Sequence, residues 1–240
     1  MTFNEINNQA NYNDQFFPFT NSGISYKEGD DREQIMYQAA HYELVASAKA
    51  VQIGKAINPD FEIGCMIAMC PIYPATCKPA DVLMAQKAME KRYYFTDVHV
   101  HGAYPGYMLT YFARKGYDLD ITSEDLAELK KGTVDYIGFS YYMSFAITHK
   151  EDNVYFDYHE QEDFVRNEYL NVTDWGWQID PIGLKISLLE LYDRYRVPLI
   201  IVENGMGAKD ELTEDKKVHD DYRISYLKQH IQQMKEAVEL

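Results

Sequence analysis

Two short stretches at opposite ends of the sequence carry residues able to do acid–base and nucleophilic chemistry. Leu199-Ile200-Ile201-Val202-Glu203-Asn204-Gly205 runs from branched apolar residues into a carboxylate, an amide and a glycine. Thr2-Phe3-Asn4-Glu5-Ile6-Asn7 repeats the theme, with Asn4 and Glu5 adjacent. Each reads as a buried strand that delivers a glutamate at its C-terminal end. Two carboxyl groups on different strands suit hydrolysis of a glycosidic bond: one protonates the leaving oxygen, and the other attacks the sugar carbon or activates water. Apolar residues before each glutamate would set the carboxylate at the rim of a core, where desolvation can hold one of the pair protonated. On spacing alone, a pair of unrelated surface glutamates is an equal alternative.

The elements that must position these carboxylates alternate along the chain. Asn7 to Gly29 is polar and aromatic and reads as a long loop. Asp30 with Glu33 has the pattern of a capping box, predicting a helix to about Lys55 with Ile35, Ala39, Tyr42, Ala46, Ala50 and Ile53 on its apolar face. Phe61 to Met69 reads as a strand buried on both faces, and a Pro-punctuated loop leads to a helix over about Ala80–Tyr94. Short helices are expected at Tyr107–Lys115 and at Ser123–Lys131, the second closed by Gly132. Val134–Tyr142 is the next buried strand, followed by an acidic, aromatic loop over Ser144–Asp180 without sustained periodicity. Pro181 suits the first position of a helix to about Arg196. The strand Val197–Glu203 follows, and a last helix over about Asp220–Glu239 carries Tyr222, Leu227, Ile231, Met234 and Val238. Alternating strands and helices imply right-handed βαβ units and a parallel sheet. Every long loop follows a strand, as in a (β/α)8 TIM barrel, whose sites are built at the strands' C-terminal ends. With about four strands, the fold class is α/β, a partial (β/α)8 barrel, and residues 1–240 read as a single domain.

Composition narrows the partners. The chain has 23 Lys+Arg against 38 Asp+Glu, a net charge of −15, which argues against nucleic acid or an anionic membrane surface. No apolar run reaches the roughly 18 residues of a membrane span, and no signal sequence follows Met1. Cys65, Cys70 and Cys77 are read as reduced thiols of a cytoplasmic protein, since they lack C-x-x-C spacing. The 21 tyrosines could line a sugar cleft, but ordinary packing accounts for most of them.

The two glutamate stretches resemble the signatures of glycoside hydrolase family 1, the retaining β-glycosidases. His41, Asp135 to Tyr142 and Trp177 to Leu184 also stand in that family's order, so the resemblance covers essentially the whole chain. Phe95 to Pro105, Phe139 to Ser144 and Glu203 to Ala208 are most similar to the bacterial 6-phospho-β-glucosidases. The resemblance implies Glu5 as general acid/base, Glu203 as nucleophile, Asn4 on the sugar 2-hydroxyl and Tyr142 donating its hydroxyl to Glu203. It implies a phosphorylated β-glucoside substrate and no cofactor. Ser140 stands where the wider family often has Asn.

His99 and His101 form an H-x-H pattern that a metal-dependent barrel hydrolase would place after a strand. Here they follow a helix, and the expectation is that no metal is held. The acidic stretch at 151–163 is read as a solvated loop. The resemblance further implies that three earlier strands and an eighth are absent, Met1 matching a position inside the fourth. Self-association through exposed barrel edges and negligible activity of the chain alone are therefore expected. A non-catalytic assembly unit with a vestigial site is the alternative.

Overall fold

The computed structural model describes residues 1–10, 16–158 and 163–240; the parts of the expected 7–29 and 151–163 loops at 11–15 and 159–162 lie outside the described residues. After a 3-10 turn at Ile6–Ala10 come α1 (Phe16–Ser22), α2 (Arg32–Ile57), β1 (Cys65–Ala68), β2 (Ile72–Pro74), α3 (Pro79–His101), α4 (Gly106–Lys115) and α5 (Ser123–Lys131). Then follow β3 (Ile137–Tyr141), β4 (Phe145–Ile147), β5 (Phe164–Val165), α6 (Pro181–Tyr195), β6 (Leu199–Asn204) and α7 (Asp221–Val238). They gather into two compact units. The first comprises Met1–Ala68, Glu90–Phe139 and Val197–Ile200, the second Met69–Met89, Ser140–Arg196 and Ile201–Leu240.

The first unit is built around α2. Its N-cap is Asp31, whose carboxylate accepts the Gln34 N–H at 3.0 Å, one residue beyond the expected Asp30. Asp30 closes the preceding turn by accepting the Lys27 N–H at 2.7 Å. The expected apolar stripe is the outer face: Tyr42 is 53% and Ile53 61% exposed. The buried face carries Met36, Tyr37, Ala40, Leu44, Val45, Ala48 and Val51, interrupted by Glu33, His41 and Ser47. Both faces are rich in apolar residues at steps of three and four, so periodicity fits two registers. The buried polar residues hide the true one. Tyr37 packs edge-on against Tyr94 and Phe112, with ring centroids 6.0 and 4.9 Å apart. Thr122 caps α5 in a capping box with Asp125. Gly132 ends that helix, where a Cβ would lie 2.1 Å from the Ala48 carbonyl oxygen, so only glycine permits α5 to approach α2 so closely.

Helix α3 runs seven residues past the expected stop at Tyr94. Phe95 to Val100 has strand-like composition, but Phe95 and Val98 are buried on one helical face, and packing overrides propensity. Gly102, at φ 65°, supplies the left-handed stop. The first sheet has the order β1–β3–β6. In the first unit Asp135 N–H bonds Ile63 O and Cys65 N–H bonds Tyr136 O, partners that ascend together as in parallel strands. The Asp135 carboxylate accepts the Ile63 N–H at 2.7 Å and the Lys55 ammonium at 2.9 Å, tying the end of α2 to the same edge.

In the second unit, the expected loop over Ser144–Asp180 contains structure. β4 pairs in parallel with β2, Ile72 opposite Phe145, and antiparallel with β5, Ala146 opposite Val165. Ile72, Met84, Ala85, Ala88, Ile147 and Tyr158 form its core, with Phe145 stacked on Phe164 at 4.3 Å. Strands of two and three residues are too short for a periodic signal. The Asn7–Gly29 loop likewise holds the 3-10 turn and α1.

Glu33 is buried on the inner face of α2. Its buried carboxylate accepts the hydroxyls of Tyr111 and, at 2.7 Å, Tyr117, and pairs with Lys91 at 3.4 Å and Lys115 at 3.5 Å. Burial pushes the carboxyl up, and the two lysines and two hydroxyls outweigh it, so Glu33 titrates below its ordinary 4.5. A depressed carboxylate stabilises the fold fully above that ordinary value and progressively less as pH falls through the folded value. Glu33→Gln should cost about 2 kcal/mol at pH 7, measured by urea unfolding. The gap from the parent should close in acid; a gap independent of pH would contradict the assignment.

Candidate active site

Glu203 ends β6, in the second unit. The strand was expected to be buried. It alternates instead, with Ile200 47% and Val202 36% exposed, because in the sheet order it lies at the edge with β3 as its neighbour. Branched apolar composition states what a strand can bury, not which neighbours it has. Tyr142, just past the end of β3, donates its hydroxyl to Glu203 Oε2 at 2.5 Å. A hydroxyl donor of this kind fixes a carboxylate's direction. The Tyr142 ring sits 5.6 Å from Trp177, which meets Trp175 edge-on at 5.4 Å. Trp175 lies over Gly207, where a Cβ would come within 2.3 Å of the indole.

A hydrogen-bonded frame stands behind this pair. Asn204 Nδ2 donates to Tyr141 O at 2.8 Å. Tyr141 donates its hydroxyl to Asp180 O at 2.6 Å. The Asp180 carboxylate caps α6 through the Gly183 N–H at 2.8 Å and accepts Tyr73 Oη at 2.7 Å. Burial, with the Asp180 carboxylate alongside, pushes the Tyr141 and Tyr73 hydroxyls up, so both remain proton donors. Pro181 takes the first turn of α6 as expected. Ser140 is buried within β3.

Asn4 and Glu5 belong to the first unit. The expected strand over Thr2–Asn7 is not formed. Thr2 N–H bonds Gly64 O at 3.1 Å, and the 3-10 turn begins at Ile6. The Asn7 side chain takes the place of a strand neighbour: Nδ2 donates to Ala68 O at 2.9 Å and Oδ1 accepts Ala68 N–H at 2.7 Å. This frees the backbone at Glu5 to turn, with φ 43° in the left-handed region. For a residue with a Cβ that conformation costs roughly 1–2 kcal/mol. It is held by the Glu5 N–H on Met66 Sδ at 3.0 Å and by the Asn8 N–H on Glu5 O at 2.8 Å. Asn8 Nδ2 also donates to Glu5 Oε2 at 2.7 Å, while Asn4 is exposed. Asn8 carries no spacing signal that would have singled it out.

The histidine pair has a different place from the one its pattern suggested. His99 and His101 lie on the last turn of α3, where residues two apart point about 200° from each other. His99 is buried and His101 exposed. His99 Nδ1 faces Ser47 Oγ at 3.4 Å, and Ser47 Oγ bonds Thr2 Oγ1 at 2.7 Å, so the ring braces the segment leading to Glu5. His41 bonds Tyr104 Oη through Nδ1 at 2.7 Å, with Nε2 3.4 Å from Asp125.

The sequence model of Glycosyl hydrolase family 1 matches residues 1–240. The chain is 51% identical over 241 residues to the aryl-phospho-beta-D-glucosidase BglA of Bacillus subtilis, covering 99% of this chain and 50% of that protein. It is 43% identical over 238 residues to the 6-phospho-beta-glucosidase AscB of Escherichia coli, covering 99% and 49%. A family 1 b-glucosidase from Thermotoga maritima superposes with a TM-score of 0.80 at 27% identity, covering 100% of this chain and 51% of that one. The chain spans about half the length of the curated relatives it matches. The α/β architecture is that of a partial (β/α)8 barrel, in agreement with the strand–helix alternation.

Burial lowers His99 to about 4 from its ordinary 6.5. The unfolded chain therefore takes up a proton that the folded chain refuses, and stability falls as pH drops from about 6.5 towards 4. An NMR titration of the imidazole resonance, assigned with His99→Gln, should show it neutral at pH 5. Titration near 6.5 would refute the buried placement.

Proposed function

Because the chain belongs to glycosyl hydrolase family 1, we propose that it carries both carboxylates of a retaining 6-phospho-β-glucosidase, Glu203 as nucleophile and Glu5 as acid/base. The observation that carries this reading is the 2.5 Å bond from the Tyr142 hydroxyl to Glu203 at the end of an apolar strand. The names of the two phospho-glucosidase relatives support the substrate class.

In the proposed reaction Glu203 attacks the anomeric carbon and forms an ester bond while the bond to the aglycone oxygen breaks. Glu5 gives that oxygen a proton. Water then attacks the same carbon, Glu5 takes the water's proton, and the ester to Glu203 breaks, restoring both groups. The Tyr142 hydroxyl aims the attacking oxygen, and Asn4 binds the sugar 2-hydroxyl.

We also propose that the 240 residues form one domain, supported by β3 and β6 each contributing residues to both units. The expected compartment is the cytoplasm, which suits three free cysteines. Self-association through the β6 edge is supported by the exposure of Ile200 and Val202. Light scattering should find oligomers that Ile200→Lys dissociates; a monomeric parent would rule this out.

Purified alone, the chain should turn over a chromogenic 6-phospho-β-glucoside negligibly, since remote binding energy is needed to position the reacting groups. Turnover that Glu203→Gln abolishes would show a working enzyme and defeat that expectation. Substituted for the matching half of the Bacillus subtilis relative, the chain should support hydrolysis. Glu203→Gln in that chimera should remove it, and Glu5→Gln should lower it on the order of 10²–10⁴-fold. With a dinitrophenyl aglycone, which needs little protonation to leave, Glu5→Gln should lose less and Glu203→Gln just as much. An active chimera indifferent to both substitutions would dismiss the assignment in favour of a vestigial site.

A further inference from the structure

We propose that Tyr226 of α7 is a positioning residue for Glu203, acting through Tyr142; the proposal rests on the reading of Glu203 as nucleophile. Tyr226 bonds Tyr142 and Asn204. It is 1% exposed, and its hydroxyl donates to Tyr142 O at 2.8 Å and faces Asn204 Nδ2 at 3.3 Å. The direction of each bond is fixed by chemistry. A carbonyl oxygen only accepts and an amide nitrogen only donates, so the single hydroxyl proton goes to Tyr142 and the lone pair to Asn204. The other amide proton of Asn204 is on Tyr141 O at 2.8 Å.

These contacts close a circuit. Tyr226 Oη holds the Tyr142 backbone, the Tyr142 side chain holds Glu203 at 2.5 Å, Glu203 is covalently joined to Asn204, and Asn204 returns to Tyr226 Oη. The oxygen of one α7 residue thereby ties the ends of β3 and β6 at the point where Tyr142 and Glu203 meet. Open chains of hydrogen bonds can lengthen at a free end; a closed ring cannot relax one member without straining the rest.

Tyr226 is itself held. Its ring stacks on His230, one turn along the helix, at a centroid distance of 3.8 Å. His230 Nδ1 lies 2.8 Å from Tyr226 O, which requires the proton on Nδ1. Burial lowers His230 and raises Tyr226, so the pair stays uncharged with the phenol protonated. Packing alone would be served equally by phenylalanine. Only the hydroxyl reaches Tyr142 and Asn204, and it is the hydroxyl that the proposal singles out.

The test uses the chain as it stands and needs no turnover. With ring-labelled tyrosine, the Tyr142 resonance is assigned by Tyr142→Phe, and its response to Glu203→Gln measures the coupling of the pair. In a Tyr226→Phe background, shown folded by its thermal melt, that response should drop to roughly half or less. His230→Phe, which alters the stack and keeps the hydroxyl, should leave the response at its parent size. An undiminished response in Tyr226→Phe, or an equal drop in His230→Phe, would overturn the proposal. Should Tyr226→Phe not fold, Asn204→Ala removes the hydroxyl's other partner. A reduced response there supports the proposal and an unchanged one defeats it. If Glu203→Gln leaves Tyr142 unmoved in the parent, the Tyr142–Glu203 pairing itself fails, and with it the route by which Tyr226 acts.

Discussion

The structure of the second unit turns on one short hydrogen bond, from the Tyr142 hydroxyl to Glu203. A carboxylate at the tip of an edge strand is otherwise free to choose among rotamers and solvent. The bond removes that freedom only if the ends of β3 and β6 keep a fixed register, and much of the surrounding polar structure maintains it. Asn204 spans from β6 to the Tyr141 carbonyl, Tyr141 reaches the Asp180 backbone, and Asp180 anchors the first turn of α6. A Cβ at Gly183 would lie 2.3 Å from the Tyr141 hydroxyl, so the helix can start there only with glycine.

The first unit solves a different problem. Its glutamate is carried by a left-handed turn, and the side chain of Asn7 makes the paired bonds to Ala68 that a strand backbone would have made. Side-chain pairing of this kind satisfies the sheet edge and releases the main chain, which explains how Glu5 can hold a conformation costly for a residue with a Cβ. His99 and Ser47 brace Thr2 from α3 and α2, so a buried, uncharged histidine serves support where its spacing invited a metal reading.

Buried ionisable groups give the first unit a common acid sensitivity. Glu33 stabilises through its charge and His99 through its neutrality, and both contributions weaken as protons are added, Glu33 because its pairs are lost and His99 because the unfolded chain binds the proton instead. Neither effect depends on the chemistry proposed for Glu5.

The sequence by itself determined the strand–helix alternation, Pro181 at the start of α6, the glycine stop after α5, and the two Asn/Glu stretches with Tyr142 that resemble one family. Each of these is written in local residue types whose backbone preferences or reactive groups act at their own position. What only the tertiary structure decided are the matters that depend on neighbours. α2 buries the face opposite to its apparent stripe, because two apolar registers compete and the packing of Tyr37 against Tyr94 and Phe112 holds one. α3 continues through strand-like residues because their side chains find a core. The small sheet β2–β4–β5 forms from strands too short to show a period. Glu5 leaves a turn rather than a strand; Asn8 reaches Glu5 from 3 residues away in sequence, and Tyr226 reaches Tyr142 from 84. Periodicity reports what a segment can bury; only packing reports what it meets.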